Sequence, residues 1–377
     1  MYYEGGKYIN INPNTKKMKR KNEIRASQDD ERLKESPASI EAYIAECREG
    51  IPTGIKFGNG YPGERLTLNA GLTFVCANTG HGTTSFLLNL AVNEATRLIH
   101  KNLDGSVLYF TYENDKRSLL IDLLGLYVND SDLSRGKQPH DAITSYFKGD
   151  KRWIVRKHLG GFEQKKDEFF NDYLLSGRLI VVDEPLRVGA LIEAIGNHIK
   201  TKGKPTLVCI DYAQLLFSEN NYMTRTEEIK QIVTDINNFA NKEGIPFVLA
   251  AKFNRDVNSP VGVMTNNIGE GGDFERIADT CIGLFNLKAL RPVGQSEMKA
   301  AKYILEKLGI KYNKGDQPLK PIEGALYVKL MKRRYGACPS SALLDWDGRT
   351  KHITLNDEEA RHEIPEEKVL FCDPDIF

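Results

Sequence analysis

The chain has 377 residues, of which 41% are hydrophobic and 27% charged, and its formal net charge is +1. This composition suffices for a packed core and argues against wholesale disorder. The near-zero net charge decides nothing about a polyanionic partner, because a local basic face can be balanced by acidic residues elsewhere.

The six cysteines are scattered, without a C-x-x-C pair or a Cys/His cluster. This pattern argues against a zinc site and a disulfide framework, and it is typical of a reducing compartment. The N-terminus lacks the charged and apolar regions of a signal peptide, and no apolar run approaches the length of a membrane span. We therefore expect a cytoplasmic protein that has no membrane partner.

The N-terminal part of the chain is predicted to be a basic, flexible tail over residues 1–35, followed by a linker helix over 36–50. The tail contains the run "KKMKRK", for which nucleic-acid contact or targeting is the alternative to a simple solvated segment. In the linker helix, Ser36 can cap, Pro37 suits the first turn and Gly50 can end the helix. Its apolar stripe must pack against its own domain or against a neighbouring subunit.

From about residue 64, strand-like apolar runs alternate with helical stretches, among them 188–201 and 225–242. The runs lack polar alternation, as strands buried on both faces do. They are "LTFVCA" (72–77), "VLYFTYE" (107–113), "LIVVDE" (179–184), "TLVCID" (206–211) and "PFVLAAK" (246–252). This order predicts an α/β fold with a mostly parallel, doubly wound sheet.

The end of this domain is predicted from two further runs, "ALYVKLMKRRYG" (325–336) and "SALLDWDGRTKHITL" (341–355), which favour closing β-hairpins. We therefore predict that this α/β domain covers 51–355 and is followed by an acidic tail over 356–377.

The segment "ANTGHGTT" (77–84) resembles the phosphate-binding pattern G-x-x-x-x-G-K-[ST], but Ala77 opens it and Thr83 replaces the lysine. A strand, a glycine turn and a helix N-terminus still form an anion site, because free backbone N–H groups and the helix dipole face the ligand. The amides of Asn78 to Gly82 can wrap a phosphate, and the Thr84 hydroxyl can bind magnesium. A plain strand-to-helix turn is the alternative.

The run "LVCIDYAQLL" is an apolar strand that ends in Asp211. A carboxylate at the carboxyl end of such a strand, near the phosphate loop, is the arrangement that holds magnesium in nucleotide hydrolases. Taken alone, Asp211 can equally be a helix-capping aspartate.

The order of these motifs resembles the RecA-like motor domain of DnaB-type replicative helicases, members of helicase superfamily 4. The resemblance runs from "GIPTGIKF" at Gly50 to about His352 and includes "YFTYEN", "IDYAQL", "IPFVLAAKFNR", "GEGGDFERIADTCIGL" and "KRRYG". It implies ATP and Mg²⁺ as cofactors, single-stranded DNA as a partner, and a homo-oligomer, most simply a hexamer. We expect the polar stretch before Ser36 to be too short to form the family's primase-recruiting domain, so coupling to primase through that domain is not expected. This suits a compact phage or mobile-element helicase, and primase or a loader is its candidate partner.

The resemblance also implies roles for single residues. Glu113 would polarise the attacking water, Lys252 stands where the family commonly has a glutamine, and Lys332 and Arg334 would reach the nucleotide of the next subunit. Nucleotide contacts are expected from Asn78, Thr79, Gly80, His81, Gly82, Thr83, Thr84, Ser85, Asp211 and Gln214, with Thr84 and Asp211 on the metal. DNA contacts are expected from Arg255, Asn266, Asn267, Gly269, Gly271 and Gly272 in the stretch 258–272 and its flank, and from the loop after Asp211.

The missing loop lysine is expected to impair hydrolysis more than binding, because its charge matters most in the transition state. Loss of one such contact costs about 3–4 kcal/mol, or some hundreds-fold in rate. Three explanations stay open: an engineered hydrolysis-defective chain, a natural inactive member, or replacement by another cation. Lys252 is the candidate replacement, and its alternative is a side chain that points to solvent or to a neighbouring subunit.

These expectations favour a ring-forming, ATP-dependent DNA helicase that translocates on single-stranded DNA. The rivals are a hydrolysis-defective nucleotide- and DNA-binding module or loader, and a RecA-like or circadian-clock type ATPase that assembles without unwinding.

Overall fold

The structure is a computed structural model that describes residues 2–4, 7–9, 50–57, 65–134, 136–254, 257–269, 273–311, 319–334, 338 and 340–355. The chain divides into two compact units, Met1–Glu49 and Gly50–Phe377. In the first unit, strands β1 (Tyr2–Glu4) and β2 (Lys7–Ile9) pair antiparallel. The predicted linker helix before Gly50 and the predicted acidic tail lie outside the described residues.

The second unit contains a small two-stranded sheet and one large sheet. The small sheet pairs β3 (Ile51–Lys56) with β4 (Arg65–Leu68) in antiparallel fashion. The strands of the large sheet are β5 (Gly71–Ala77), β6 (Val107–Thr111), β7 (Leu179–Val182), β8 (Leu207–Asp211), β9 (Pro246–Lys252), β10 (Thr280–Asn286), β11 (Ala325–Arg333), β12 (Ser340–Asp347) and β13 (His352–Thr354).

The helices of this unit are α1 (Thr83–His100), α2 (Lys116–Val128), α3 (Pro139–Phe147), α4 (Leu159–Glu168), α5 (Val188–Lys202), α6 (Arg225–Glu243), α7 (Asp273–Ile277) and α8 (Gly294–Lys307). A π-helical segment, Phe169–Leu175, continues α4. No helix in the described ranges combines the length and apolar character needed to cross a bilayer.

The large sheet has the strand order β13-β12-β11-β10-β5-β9-β8-β6-β7. The six strands from β10 to β7 run parallel, and β11, β12 and β13 add an antiparallel edge. The predicted α/β fold with a mostly parallel sheet is confirmed. The predicted closing hairpins correspond to this antiparallel edge.

The central strands are buried on both faces, which explains their continuous apolar runs. Every residue of β5, β6 and β8 is buried. One face packs against a hydrophobic cluster that includes α1, and the other against a cluster that includes α5 and α6. Helices therefore cover both faces of these strands.

The carboxyl ends of β5, β9, β8 and β6 meet at one edge of the sheet. Ala77 pairs in register with Lys252, and Thr111 pairs with Asp211. In parallel sheets this edge is where ligands bind, because loops and helix N-termini converge there. The fold therefore gathers the phosphate-loop segment, Lys252, Asp211 and the residues that follow Thr111.

Candidate nucleotide-binding site

The segment between β5 and α1 is a tight loop that requires glycine at two positions. Gly80 and Gly82 have φ angles of 79° and 90°, in the left-handed region that other residues avoid. The backbone N–H of His81 donates to the carbonyl of Asn78 at 3.2 Å, which closes the turn. Since α1 begins at Thr83, its first N–H groups are free to bind an anion.

His81 carries no positive charge into this loop. The residue is 7% exposed, and its ring contacts the Phe285 ring with the centroids 4.9 Å apart. Nδ1 accepts a hydrogen bond from the backbone N–H of Asn286 at 3.2 Å, which requires that nitrogen to be unprotonated. Burial lowers the pKa of His81, so the imidazole is neutral at physiological pH.

Thr84 and Asp211 meet at the base of the loop. The Asp211 side chain is hydrogen-bonded to Thr84 and accepts a second hydrogen bond from the Tyr109 hydroxyl at 3.1 Å. Asp211 is 1% exposed, and burial raises its pKa although both hydrogen bonds oppose the shift. A hydroxyl and a carboxylate in contact suit Mg²⁺, which prefers oxygen ligands and would relieve the buried charge.

Glu113 lies beside this pair, just beyond the end of β6. The backbone N–H of the preceding residue, Tyr112, donates to the carbonyl of Asp211 at 2.7 Å and ties the segment to β8. The negative charge of Glu113 contributes to the raised pKa of Asp211, as expected for two neighbouring carboxylates. The Glu113 side chain is 41% exposed, so water can reach it.

Lys252 connects the groups at this edge. Its Nζ lies 3.3 Å from Oε1 of Glu113 and 3.9 Å from the centroid of the Tyr212 ring. Partial burial by itself lowers the pKa of Lys252, but Tyr212 and Glu113 outweigh burial, so the net shift is upward. Lys252 is therefore a cation held at the centre of the predicted site.

A cavity of about 430 Å³ opens beside the loop. Lys252 lines it together with loop residues; the full lining is Asn78, Thr79, His81, Lys252, Phe253, Val257, Asn258, Ala289 and Arg291. The amide of Asn78 donates to the carbonyl of Val257 at 3.1 Å, which ties the loop to the segment after β9. The phosphate-loop segment and Lys252 thus share one open space.

The Gln214 side chain is hydrogen-bonded to backbone groups and does not line this cavity. Its amide nitrogen donates to the carbonyl of Lys252 at 3.2 Å, and its amide oxygen accepts from the N–H of Lys252 at 3.3 Å. The N–H of Gly269 donates to the same Lys252 carbonyl at 2.9 Å. Gln214 therefore fixes the end of β9, and its predicted nucleotide contact stays a prediction.

The predicted DNA-contacting residues fall partly within the described chain. Asn266 is exposed, while the Asn267 amide donates to the carbonyl of Gly262 at 2.7 Å and shapes the loop. Gly269 is buried against Lys252. The remaining three, Arg255, Gly271 and Gly272, lie outside the described residues.

Lys332 and Arg334 are not brought to this site by their own chain. Arg333, the residue between them, pairs with Thr280 in the sheet, and Thr280 pairs with Thr73 near the start of β5. The phosphate loop follows the opposite end of β5. Arg334 instead forms an ion pair with Asp279 at 2.9 Å. Lys332 donates to carbonyls at the end of α7, including that of Ala278 at 2.7 Å.

Two site residues were not found from the sequence. Tyr109 donates a hydrogen bond to Asp211 on the neighbouring strand. The apolar run that predicts its strand gave no sign that this side chain would make such a bond. Trp346, in β12, packs on the phosphate loop: its ring lies 3.5 Å from the position that a Cβ on Gly82 would take. The Trp346 indole nitrogen is buried and has no hydrogen-bond partner among the described residues.

Comparison with curated proteins gives distant replicative helicases. Replicative DNA helicase DnaB of Rickettsia prowazekii (strain Madrid E) is 25% identical over 260 residues, covering 66% of this chain and 49% of the relative. Replicative DNA helicase DnaB of Rickettsia bellii (strain RML369-C) is 23% identical over 247 residues, with 62% and 46% coverage. The chain thus spans about half the length of the curated relatives it matches.

Comparison with solved structures gives the same fold. One solved ATPase domain aligns with a TM-score of 0.55 at 17% identity, covering 84% of this chain and 95% of that one. A DnaB-like replicative helicase, solved in a study of its interactions with primase, aligns with a TM-score of 0.56 at 16% identity, covering 88% and 70%. At these identities the likeness shows the RecA-like fold alone.

The family model "DnaB-like helicase C terminal domain" matches residues 66–309, well over half of the chain. This range includes the phosphate loop, Glu113, Asp211 and Lys252, the residues that meet at the sheet edge. The resemblance read from the motifs is confirmed, and the chain belongs to the DnaB-like helicase C-terminal domain family.

Proposed function

We propose that this chain is the motor of a ring-forming, ATP-dependent DNA helicase that translocates on single-stranded DNA during replication. The observation that supports it is the convergence of the phosphate loop, the Thr84–Asp211 pair and Glu113 at one sheet edge. In this proposal the loop amides bind the phosphates, and Thr84 and Asp211 hold Mg²⁺, which neutralises charge on the phosphate oxygens.

The reaction is hydrolysis of the terminal phosphate of ATP. Water attacks the γ-phosphorus, the bond to the bridging oxygen of ADP breaks, and Glu113 accepts the proton that the water loses. The exposed carboxylate of Glu113 suits this role because water reaches it. In the structure the carboxylate is paired with the ammonium of Lys252 at 3.3 Å.

A link between nucleotide and DNA is supported by the backbone contacts at the end of β9. Gly269, in the glycine-rich stretch expected to contact DNA, bonds to the carbonyl of Lys252, and Gln214 bonds to both backbone groups of Lys252. A displacement of either segment therefore reaches the other through hydrogen bonds alone. Such a connection is what a motor needs to convert hydrolysis into movement.

Assembly into a ring, most simply a hexamer, is proposed from the position of Arg334. This residue lies away from the phosphate loop of its own chain, so an arginine finger could act only on a neighbouring subunit. Primase or a helicase loader is proposed as a further partner, since one solved structural neighbour was studied with primase.

A binding module that uses ATP without hydrolysing it is the second candidate. Thr83 favours it, because the loop lacks the lysine whose charge follows the γ-phosphate. The site retains Glu113, which a purely structural nucleotide site has no use for. This retention favours the motor.

The test measures ATP hydrolysis with and without single-stranded DNA, and unwinding of a forked duplex, for the wild type and for Glu113→Gln. We expect DNA-stimulated hydrolysis and unwinding in the wild type, and at least a ~100-fold loss of hydrolysis with nucleotide binding retained in the variant. Nucleotide binding without hydrolysis in the wild type would favour the binding module. Hydrolysis without unwinding would favour a recombinase-like ATPase.

A further inference from the structure

The phosphate loop of this chain offers a bound triphosphate no cationic side chain. Between Ala77 and Thr84 the one titratable cation is His81, and its buried, hydrogen-bond-accepting ring is neutral. In the P-loop pattern a lysine supplies charge to the β- and γ-phosphates. A site that binds ATP in preference to ADP must obtain that charge from another element.

Two cations line the cavity beside the loop, Lys252 and Arg291. Arg291 is exposed on the segment after β10, on the side of β5 away from Asp211. Lys252 ends β9, the strand between β5 and β8, and is in register with Ala77, the last strand residue before the loop. By strand order, the end of β9 lies between the loop that follows β5 and Asp211 at the end of β8.

The ammonium group of Lys252 is already directed toward the reacting end of the site. It lies 3.3 Å from the carboxylate that the proposed function assigns to water activation, and over the Tyr212 ring. An ammonium on a flexible four-carbon stem can move by several ångströms without backbone change. A γ-phosphate carries more negative charge than one carboxylate and would compete for it effectively.

We propose that Lys252 is the γ-phosphate-binding cation of this site, supplied by the end of β9 in place of the P-loop lysine. The inference rests on the proposed function in so far as the site binds ATP. Without nucleotide, Lys252 is held by Glu113 and Tyr212. When ATP binds, the ammonium moves to the γ-phosphate and leaves Glu113 free to accept a proton from water.

The role of Lys252 can be tested by comparing the affinity of the site for a nucleoside triphosphate with its affinity for a diphosphate. A cation on the γ-phosphate strengthens binding of ATP and leaves binding of ADP unchanged, whereas a lysine that only neutralises Glu113 affects both alike. A charged hydrogen bond of this kind corresponds to roughly 10- to 100-fold in affinity. This readout does not depend on hydrolysis.

The experiment measures dissociation constants of Mg²⁺-ADP and of a non-hydrolysable Mg²⁺-ATP analogue by calorimetry. For Lys252→Gln we expect the preference for the triphosphate to fall on the order of 10- to 100-fold, with ADP affinity unchanged. Lys252→Arg keeps the charge and should keep most of the preference, which also controls for folding. Lys242→Gln, on an exposed lysine of α6, is the matched control and should change neither constant.

The double variant Thr83→Lys/Lys252→Gln returns a lysine to the loop and should restore the preference. The inference would be overturned if Lys252→Gln kept the preference for the triphosphate, or if only Arg291→Gln lost that preference. Neither result would contradict the proposed ATP-driven motor. If the wild type binds the analogue but does not hydrolyse ATP, the motor proposal is wrong. The comparison of dissociation constants then still tests the role of Lys252. A wild type that binds neither nucleotide overturns both.

Discussion

The contact between Gly269 and Lys252 gives the most direct test of a link between the loop proposed to contact DNA and the proposed nucleotide site. A Cβ at position 269 would lie 2.8 Å from the Lys252 carbonyl oxygen, closer than ordinary Cβ contacts allow. Backbone cannot yield as a flexible side chain can, so Gly269→Ala must separate the two segments. That separation also stretches the 2.9 Å hydrogen bond from the Gly269 N–H. Overpacking of this kind costs about 1–3 kcal/mol.

Thermal denaturation and DNA-stimulated ATPase assays measure the effect. For a domain of about 300 residues each kcal/mol corresponds to roughly 1.5 °C, so Gly269→Ala should lower Tm by ~2–5 °C. It should also weaken the stimulation of hydrolysis by single-stranded DNA. The matched control is Gly196→Ala in α5, where a Cβ meets nothing within 4 Å and alanine favours the helix by up to ~1 kcal/mol. Equal Tm values for the Gly269→Ala variant and the wild type would refute the reasoning.

Three further predictions follow from other contacts. With the other tryptophan replaced by phenylalanine, Trp346 fluorescence should change on addition of ADP, because its ring packs on the phosphate loop; a constant emission would place the nucleotide elsewhere. The hydrogen bond to Asp122 raises the pKa of His140, so its stabilisation is full below the unfolded pKa near 6.5 and is lost as pH rises through the folded pKa. His140→Gln should therefore lower Tm more at pH 6 than at pH 9, and equal losses would contradict this. Arg334→Ala and Glu113→Gln should each abolish hydrolysis, and mixed oligomers of the two should regain part of it, because some interfaces then carry both intact groups; no recovery on mixing would argue against a finger acting between subunits.

Much of the fold was predictable because apolar periodicity and glycine turns act locally. β9 has the predicted bounds, Pro246–Lys252, and the predicted helices over 188–201 and 225–242 correspond to Val188–Lys202 and Arg225–Glu243. The helix Gly294–Lys307 was not predicted, although the sequence carried a signal for it. Its apolar residues Met298, Ala301 and Leu305 recur at helical spacing and pack against the core.

Some contacts of the candidate site could likewise be predicted from the sequence, and others could not. The meeting of Thr84 and Asp211 was predicted from motif order, because both follow strands whose carboxyl ends share an edge. The ion pair of Lys252 with Glu113 was not predicted, since it depends on β9 lying two strands from β6 and on the direction of two long side chains. Trp346 was missed because it lies far from the phosphate loop in the sequence, and only folding brings β12 to the loop. No local sequence pattern indicates such a contact.

Strand order also decides which departures from a motif a site can tolerate. A side chain from β9 can replace a side chain from the loop after β5 because the two strands are neighbours and Ala77 is in register with Lys252. The strand that Glu113 follows, β6, is separated from β5 by β9 and β8, so a cation at its end would have to pass Asp211 to reach the loop. On the other side of β5, β10 lies away from Asp211, and a cation there would approach the phosphates without reaching Glu113. Within one chain, the topology therefore favours the end of β9 as the source of a cation that would compensate for Thr83, and that position is occupied by a lysine.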